Sequence, residues 1–305
     1  MTRIVAVGQF TDVDAQPLRE MGAEIVDDVR DAPTDGVTAL AWKGHGPVDG
    51  ALMDRFPELG LIANYGVGYD SIDVEAASAR GIAVTNTPDV LNDDVADLAV
   101  AMLLMQGRRM LQGHAHAQGG WGGKGEFPLN RKLSGSRAGI LGLGRIGHEI
   151  ADRLAAFKME IHYWSRKAKD TPAGWTFHDD PVALARAVDI LVVSTVGGAA
   201  TEGIVSAEVL DALGPDGIVI NISRGTTIDE DALLDRLEDG RLAGAGLDVF
   251  RGEPDIDPRF SALDNVVLQP HQGSGTHATR AAMGRLQRDN VSAFLAGKPL
   301  LTQVN

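Results

Sequence analysis

Three polar side chains, each placed just after a short apolar run, have the types needed for anion binding and proton transfer. They are Arg224, Glu253 and His271. An arginine binds a carboxylate through two parallel hydrogen bonds, and a histidine exchanges protons near neutral pH. A carboxylate close to a histidine favours its charged form. Taken singly, each residue is as readily explained as a surface cation, a turn carboxylate or a hydrogen-bonded loop histidine, so their meaning depends on the elements that carry them.

A glycine-rich segment with the sequence GLGRIG follows another apolar run and opens an amphipathic helical pattern. In a GxGxxG arrangement the first glycine permits a tight turn, the second lets backbone N–H groups approach a pyrophosphate, and the third lets helix and strand pack closely. The N-terminus of the following helix adds partial positive charge. The predicted dinucleotide contacts are Gly142, Gly144, Arg145, Ile146 and Gly147. A chance glycine turn and a methyltransferase loop are the alternatives.

The residues at the end of the next apolar run indicate which dinucleotide binds. Folds that bind NAD usually carry an Asp or Glu there, about 20 residues after the glycines, for the ribose hydroxyls. Here Ser165 stands in that place, and Arg166 and Lys167 follow. Because arginine grips a phosphate with two hydrogen bonds, this segment predicts NADP(H) in preference to NAD(H). The alternative is a solvated basic turn.

Length and composition limit the fold and the partners. The 305 residues suffice for two domains of medium size, and a hydrophobic fraction of 44% argues against a disordered chain. A formal charge of −14 disfavours nucleic acid and anionic membranes as partners. The chain contains no cysteine, which excludes disulfides, thiolate nucleophiles and Cys-ligated zinc and suits a reducing cytoplasm.

Short apolar runs alternate with helical patterns along the chain, which predicts parallel sheets built from βαβ units. The predicted strands are 4–7, 24–26, 39–42, 61–64 and 83–85, and then 138–141, 160–163, 190–194, 217–221, 243–247 and 266–268. The second series contains the glycine motif and has the pattern of a doubly wound sheet. Arg224, Glu253 and His271 follow the carboxyl ends of its strands, which is where such sheets bind ligands.

One long helical pattern lies between the two series of strands, and another follows the second series. A pattern at 93–112 is long enough to cross between domains before a glycine-rich hinge at 114–125. A last helix at 276–295 is expected to return to the first domain. We therefore expect residues 1–98 and 281–305 to form a discontinuous substrate domain, and residues 99–280 to form a dinucleotide-binding domain.

Signals for membrane targeting and for metal binding are weak. The N-terminus lacks the features of a signal peptide, and the longest apolar run, Leu98–Met105, is far shorter than the roughly 20 residues of a membrane-spanning helix. His114 and His116 form a pair without a third ligand at helical or strand spacing. We therefore expect a cytoplasmic protein that has no metal site and binds no membrane.

The order Arg224, Glu253, His271 behind the glycine motif resembles that of the D-isomer-specific 2-hydroxyacid dehydrogenase family, and the resemblance covers nearly the whole chain. Within the family, the chain is most similar to glyoxylate/hydroxypyruvate reductases and hydroxyphenylpyruvate reductases. It departs from the commonest pattern at Ser223 and Asn92, but neither change removes a required functional group. Three further stretches are similar to that family: Asn64–Asp73, Thr85–Leu91 and Val95–Asp97.

The resemblance implies an α/β fold with two Rossmann-like doubly wound domains, a flavodoxin-like substrate domain and a dinucleotide-binding domain, with a cleft between them. It further implies that Arg224 binds the substrate carboxylate and polarises the keto oxygen, that His271 is the general acid or base, and that Glu253 pairs with His271. These residue types meet the needs of a 2-keto acid, which requires a cation for its carboxylate and a proton for the developing alkoxide.

The resemblance also implies contacts around these residues. Val67 and Gly68 would present backbone N–H groups to the substrate carboxylate, although a plain glycine turn is the alternative. Asp248 would approach the nicotinamide amide, and Gly273 and Ser274 would line the site.

Two tryptophans complete the predicted site. Trp121 matches a tryptophan that in glyoxylate/hydroxypyruvate reductases reaches into the substrate site of the partner subunit, which implies a homodimer. A merely packed tryptophan is the alternative. Trp42 is expected near the mouth of the cleft, where it would influence the choice of substrate.

These observations favour an NADPH-dependent reductase that converts a 2-keto acid, glyoxylate or hydroxypyruvate first, to the D-2-hydroxy acid. Reduction of bulkier arylpyruvates such as hydroxyphenylpyruvate is the alternative within the same chemistry. A non-catalytic, cofactor-sensing protein like the corepressors that share this fold is the alternative from another class. A relative of formate dehydrogenase is disfavoured, because those members have Gln where this chain has Glu253.

Overall fold

The computed structural model describes residues 3–44 and 46–305. The chain folds into two units. The first contains the residues up to Leu91 together with Thr276–Asn305, and the second contains Asn92–Gly275. The chain thus leaves the first unit once and returns to it once, so the first unit is discontinuous in sequence.

Short strands alternate with helices in both units. The strands are β1 (Arg3–Val7), β2 (Ala23–Val26), β3 (Val37–Trp42), β4 (Leu61–Asn64), β5 (Ala83–Thr85), β6 (Arg137–Leu141), β7 (Glu160–Trp164), β8 (Thr176–His178), β9 (Ile190–Val193), β10 (Ile218–Asn221), β11 (Gly244–Leu247) and β12 (Val266–Leu268). The α-helices are α1 (Asp12–Glu20), α2 (Gly50–Asp54), α3 (Val74–Ala79), α4 (Asn92–Gly107), α5 (Met110–Gln118), α6 (Trp121–Lys124), α7 (Arg145–Ala156), α8 (Pro181–Ala187), α9 (Ala207–Leu213), α10 (Glu230–Glu238) and α11 (His277–Leu295). Among the described residues, none of the helices is both long and apolar enough to cross a membrane.

The first unit is built on a parallel sheet in the order β2-β1-β3-β4-β5, which is the flavodoxin order. Alternate residues of β3 face opposite layers. Ala39 and Ala41 lie in the core on the side of α1 and α11, whereas Leu40 and Trp42 lie in the core on the side of α2 and α3. Trp42 pairs with Asn64 of β4, so the loops that follow these two strands leave the same edge side by side.

The second unit is built on a parallel sheet in the order β12-β11-β10-β9-β6-β7-β8. Counted from β6, this is the dinucleotide-binding order with one strand added at an edge. The strand order reverses between β6 and β9, and ligands of such sheets bind outside the carboxyl ends at that point. β9 and β10 are buried along their whole length, which explains their continuous apolar sequences.

The strands predicted from apolar runs are confirmed, with ends within two residues of those observed. β8 was not predicted. It is an edge strand of three residues, Thr176–His178, with a single large apolar side chain, so its sequence lacks the pattern of a buried strand.

The long helical pattern predicted at 93–112 is wrong in its last turn. α4 ends at Gly107, Arg109 adopts a left-handed conformation with φ +48°, and α5 starts at Met110. The glycine-rich stretch expected to interrupt the helix is itself largely helical, in α5 and α6. A glycine costs a helix only about 1 kcal/mol, so glycines alone did not mark the break.

The two units divide earlier in the chain than the predicted 98/99 and 280/281. The observed divisions follow Leu91 and Gly275. α4 packs against β10 and β11, and α11 packs against β3 and β4, so each helix lies whole within one unit.

Candidate active site

The glycine motif forms the turn between β6 and α7, and each glycine meets a different requirement. Gly142 has φ +107°, and a Cβ there would lie 2.7 Å from the backbone nitrogen of Thr195. A Cβ on Gly147 would lie 2.3 Å from the carbonyl oxygen of Gly142. Gly144 is exposed directly before α7, and within the described part of the chain only its own sequence neighbours approach its Cβ position within 4 Å. Open space in front of a helix N-terminus fits a pyrophosphate.

The end of β7 lies beside this turn, because the N–H of Gly142 donates to the carbonyl of Trp164 over 3.0 Å. Ser165 is buried, and its hydroxyl donates to the carbonyl of Lys167 over 2.6 Å. Arg166 and Lys167 are exposed on the turn so formed, and neither makes an ion pair with any residue that the structure describes. Cations free of carboxylate partners can bind a phosphate.

Arg224 lies three residues beyond the end of β10, at the start of a short 3-10 turn. The side chains of Asn221 and Thr227 both donate to its carbonyl oxygen, over 3.0 and 2.6 Å. Its Nη1 donates to the carbonyl of Ser223 over 2.8 Å. The Ser223 hydroxyl in turn donates to the carbonyl of Thr195 over 2.6 Å. Ser223, which departs from the commonest family pattern, thus adds a hydrogen bond between the loop after β9 and the loop after β10.

A close backbone contact joins the Arg224 loop to the loop after β11. A Cβ on Gly225 would lie 1.9 Å from the carbonyl carbon of Phe250, so no larger residue fits without a shift of the backbone. The N–H of Phe250 donates to Oε1 of Glu253 over 2.7 Å. This contact therefore sets Arg224 and Glu253 on neighbouring backbone segments.

Glu253 and His271 form a direct pair. Oε2 of Glu253 lies 2.7 Å from Nδ1 of His271, and half of the His271 side chain remains exposed. Burial raises the pKa of Glu253, but the hydrogen bonds from His271 and from the N–H of Phe250, with the charge of Arg224, outweigh burial and hold that pKa below its ordinary value. Glu253 is therefore a carboxylate at neutral pH.

Asp248 organises the backbone that carries His271. Its two carboxylate oxygens accept the N–H groups of Gln272 and Gly273, over 2.5 and 2.8 Å, and its carbonyl accepts the N–H of His271 over 2.9 Å. His271 adopts φ +54°, in the left-handed region. Asp248 is fully buried, and burial raises its pKa against these hydrogen bonds.

A cavity of about 250 Å³ lies next to the Glu253–His271 pair. Its other walls are mostly apolar and come from Phe250, Pro254, Ile256, Leu268, Gln269 and Pro270. The second unit therefore brings together a cation, a carboxylate, an exposed imidazole and an apolar cavity. This set can bind an anion and transfer a proton beside apolar walls.

In the first unit, the loop after β4 turns its carbonyls inward. The Asn64 amide donates to the carbonyls of Gly66 and Gly68 over 3.2 and 2.9 Å, and the Asn86 amide donates to that of Val67 over 2.9 Å. Within the described residues, no acceptor takes the N–H of Val67 or Gly68. Successive free N–H groups form a concave anion-binding site.

Asn64 and Asn86 are residues whose role the sequence reasoning missed. Both are buried polar side chains at the ends of apolar strands and bracket the Gly66–Gly68 loop. A buried amide needs hydrogen-bond partners, so its position beside a glycine-rich loop was the available signal.

The remaining predicted residues occupy varied environments. Arg145 and Ile146 open α7, exposed and half-buried, and Ser274 is half-buried beyond Gly273. Trp121 is 61% exposed at the start of α6. The expectation for Trp42 is wrong: it is 2% exposed and packs in the core of the first unit, because it lies on the face of β3 that α2 and α3 cover.

The two histidines considered as a metal pair have other surroundings. Nε2 of His116 lies 3.0 Å from the carbonyl oxygen of Gly125, and its ring packs against Phe127. Within residues 3–44 and 46–305, no three His, Cys, Asp or Glu side chains are grouped so that they could hold a metal ion.

Comparison with known proteins identifies relatives of this arrangement. A family model described as D-isomer specific 2-hydroxyacid dehydrogenase, NAD binding domain, matches residues 100–273. The match spans more than half of the chain and includes Arg224, Glu253 and His271.

Individual relatives extend the likeness to the rest of the chain. Hydroxyphenylpyruvate reductase of Plectranthus scutellarioides is 44% identical over 270 residues, which cover 88% of this chain and 86% of that protein. 2-Ketogluconate reductase of Gluconobacter oxydans is 42% identical over 268 residues, which cover 88% of this chain and 86% of that protein. The structure of NADPH-dependent glyoxylate/hydroxypyruvate reductase from Sinorhizobium meliloti, in complex with NADP and malonate, is similar with a TM-score of 0.93 at 42% identity, covering 99% of this chain and 96% of that chain.

Proposed function

Because the chain belongs to the D-isomer-specific 2-hydroxyacid dehydrogenase family, we propose that it reduces a 2-keto acid to the D-2-hydroxy acid with NADPH, and that His271 is the general acid. The chain is an oxidoreductase of this class, close to glyoxylate/hydroxypyruvate and hydroxyphenylpyruvate reductases. The proposal that His271 is the general acid rests on the 2.7 Å contact between its Nδ1 and Oε2 of Glu253.

Glu253 determines which nitrogen of His271 serves the reaction. A carboxylate only accepts hydrogen bonds, so Nδ1 carries a hydrogen and Nε2 is left for the substrate. As the general acid, His271 gives up its Nε2 proton as the keto oxygen becomes an alkoxide. In the reverse direction the neutral ring takes the proton back.

Arg224 and the Val67–Gly68 loop are the proposed ligands of the substrate carboxylate. Arg224 offers a guanidinium on a backbone fixed by Asn221 and Thr227, and the loop offers N–H groups that no described residue uses. A carboxylate bound by a fixed cation and fixed N–H groups holds its keto group in one orientation, and such positioning lowers the barrier to reaction.

The glycine turn and the end of β7 are the proposed site of NADPH, which supplies the hydride when bound. Gly142, Gly144 and Gly147, with Arg145 and Ile146, would hold the pyrophosphate. Ser165, Arg166 and Lys167 would surround the 2′-phosphate of the ribose. Asp248, Gly273 and Ser274 would lie near the nicotinamide and the substrate.

Reversal of the two exposed cations tests the preference for NADPH. In the double variant Arg166→Glu, Lys167→Glu, we expect the ratio of kcat/KM for NADPH over NADH to fall at least about 100-fold, because two attractions to the 2′-phosphate become repulsions. Lys158→Glu is the matched control, since Lys158 is exposed at the opposite end of β7. A ratio near that of the parent in the double variant would remove both cations from the cofactor site.

Absorbance at the NADPH band measures the reaction itself. We expect oxidation of NADPH with glyoxylate and hydroxypyruvate, and chiral analysis of the product should give the D isomer where the product is chiral. The apolar cavity beside His271 supports 4-hydroxyphenylpyruvate as the second candidate substrate. Saturable binding of NADPH without turnover of any keto acid would instead identify a cofactor sensor.

The proposed quaternary state is a homodimer. Several large apolar side chains are exposed along α5, α6 and the segment after them, namely Met110, Leu111, Trp121 and Leu129. Exposed apolar groups gathered in one part of a chain favour contact with another protein surface. A second copy of this chain is the partner that the likeness of Trp121 implies.

A further inference from the structure

A lysine at the carboxyl edge of the first sheet has no role in the reaction described above. Lys43 directly follows β3, and its N–H donates to the carbonyl of Val7 over 2.8 Å. Its side chain is half-buried, with Nζ 4.8 Å from the ring centroid of Tyr65 and 5.4 Å from that of Phe10. The ammonium therefore lies between two aromatic rings, which attract a cation.

The two rings are held in place. Phe10 meets Tyr65 edge to face at 6.2 Å, and the Tyr65 hydroxyl lies 2.9 Å from the carbonyl of Arg280 and 3.2 Å from Oδ2 of Asp14. Asp14 is fully buried and accepts a hydrogen bond from Arg288 over 2.7 Å. The negative charge of Asp14 is thus already paired, and Lys43 is left on a rigid aromatic support.

Lys43 has a positive neighbour, Arg280, and within the described residues it makes no ion pair with an acidic side chain. Burial lowers the pKa of Lys43, as does the charge of Arg280, and Asp14 opposes them. Neither Lys43 nor Arg280 makes an ion pair with a residue in the part of the chain that the structure describes. A half-buried ammonium without a carboxylate costs free energy of solvation, and that cost is recovered when a ligand supplies an acceptor oxygen.

Lys43 also lies next to the proposed carboxylate site. Trp42 and Asn64 are paired residues of β3 and β4, and the N–H of Tyr65 donates to the carbonyl of Trp42 over 2.7 Å. Lys43 and the Val67–Gly68 loop therefore leave the same edge of the sheet on adjacent strands. A substrate bound there by its carboxylate has its remaining carbon chain close to this edge.

We propose that Lys43 is a specificity-determining residue that binds an oxygen on the substrate's carbon chain beyond the keto group, either a hydroxyl or a second carboxylate. This proposal rests on the proposed function. A half-buried donor disfavours an analogue that lacks the matching acceptor, because the donor is then left unpaired. Lys43 would accordingly favour hydroxylated or dicarboxylic 2-keto acids over alkyl 2-keto acids of the same length.

Two pairs of substrates of equal length test the proposal. Hydroxypyruvate is compared with 2-oxobutyrate, and 2-oxoglutarate with 2-oxohexanoate, each by kcat/KM with NADPH. In Lys43→Met we expect the ratio for at least one pair to fall tenfold or more, as for the loss of a hydrogen bond to a charged group. Lys43→Arg, which keeps the charge, should retain most of the ratio. Lys298→Met, an exposed lysine of the same unit, is the matched control and should keep it.

Each ratio compares kcat/KM for two substrates with the same variant. A general loss of activity or of folded protein lowers both values equally and leaves the ratio unchanged. If the ratio falls less than tenfold for both pairs in Lys43→Met, the proposed role of Lys43 is overturned. Glyoxylate has no carbon beyond its carbonyl group and separates the two proposals. If the parent protein reduces glyoxylate while the ratios are insensitive to Lys43, only the role of Lys43 fails. If the parent reduces none of these acids, the proposed function fails and the role of Lys43 fails with it.

Discussion

Two carboxylates, those of Glu253 and Asp248, have different contacts around His271. Glu253 contacts the imidazole ring and fixes its Nδ1 hydrogen, whereas Asp248 accepts hydrogen bonds from the backbone of the loop. Burial raises the pKa of Asp248, while hydrogen bonds keep that of Glu253 below its ordinary value. The charge that faces the ring is therefore the more firmly held of the two, as an acid–base pair requires.

Removal of the imidazole separates proton transfer from binding. We expect His271→Ala to lower kcat by at least about 100-fold, because general acid catalysis contributes about 10² to 10⁴ in rate. The Kd for NADPH, measured by fluorescence titration, should stay within about threefold of the parent value. Unchanged turnover would exclude His271 from the mechanism.

Glu253→Gln changes the pH dependence of stability, because it removes a carboxylate that is hydrogen-bonded to His271 and to the N–H of Phe250. Since the pKa of Glu253 is lowered in the folded protein, the stability it contributes is present above the ordinary carboxyl pKa and is lost as pH falls through the lowered value. The melting temperatures of parent and variant should therefore converge in acid, and a difference in melting temperature that stays the same at every pH would contradict the pairing.

The geometry of the site depends on how closely two loops approach. Gly225 touches the backbone at Phe250, and the loops on either side carry Arg224 and Glu253. Gly225→Ala should lower the stability of the second unit by about 3 kcal/mol and its melting temperature by about 5–10 °C, because the added methyl group meets backbone and not a movable side chain. Differential scanning calorimetry measures this effect. Gly122→Ala is the control, since a Cβ there has open space, and an equal melting temperature in both variants would show that the contact is not tight.

Regular elements were predictable from sequence where they are buried on both faces. β9 and β10 are continuous apolar runs, so the sequence predicted where each strand ends and which residues lie in the loop after it. The edge strand β8 and the break at Arg109 were not predictable, because neither has an apolar period. Trp42 and Lys43 illustrate the same limit within the site. Trp42 was expected near the mouth of the cleft, but β3 is covered on both faces and buries it, whereas Lys43 follows the last residue of the strand.

At the scale of the whole molecule, the distribution of charge matters more than its sum. The chain carries a formal charge of −14, which repels anionic ligands on average. Arg166, Lys167 and Lys43 nevertheless follow carboxyl ends of strands and lack ion pairs within the described residues. Locally unpaired cations on an acidic surface focus anions toward these edges. The acidic remainder disfavours competing polyanions such as nucleic acids.

The role of Trp121 is a property of the assembly and can be tested by mixing inactive subunits. If Trp121 completes the substrate site of a partner subunit, Trp121→Ala and His271→Ala homodimers are both impaired. A heterodimer of the two variants has one site with an intact His271 and an intact Trp121 donated across the interface. We therefore expect co-refolded or co-expressed variants to recover activity well above the sum of the separate proteins, at a mass of about twice 32.2 kDa in light scattering. A monomer with full activity, or no recovery in verified heterodimers, would contradict this role, because Trp121 would then act within its own chain or not at all.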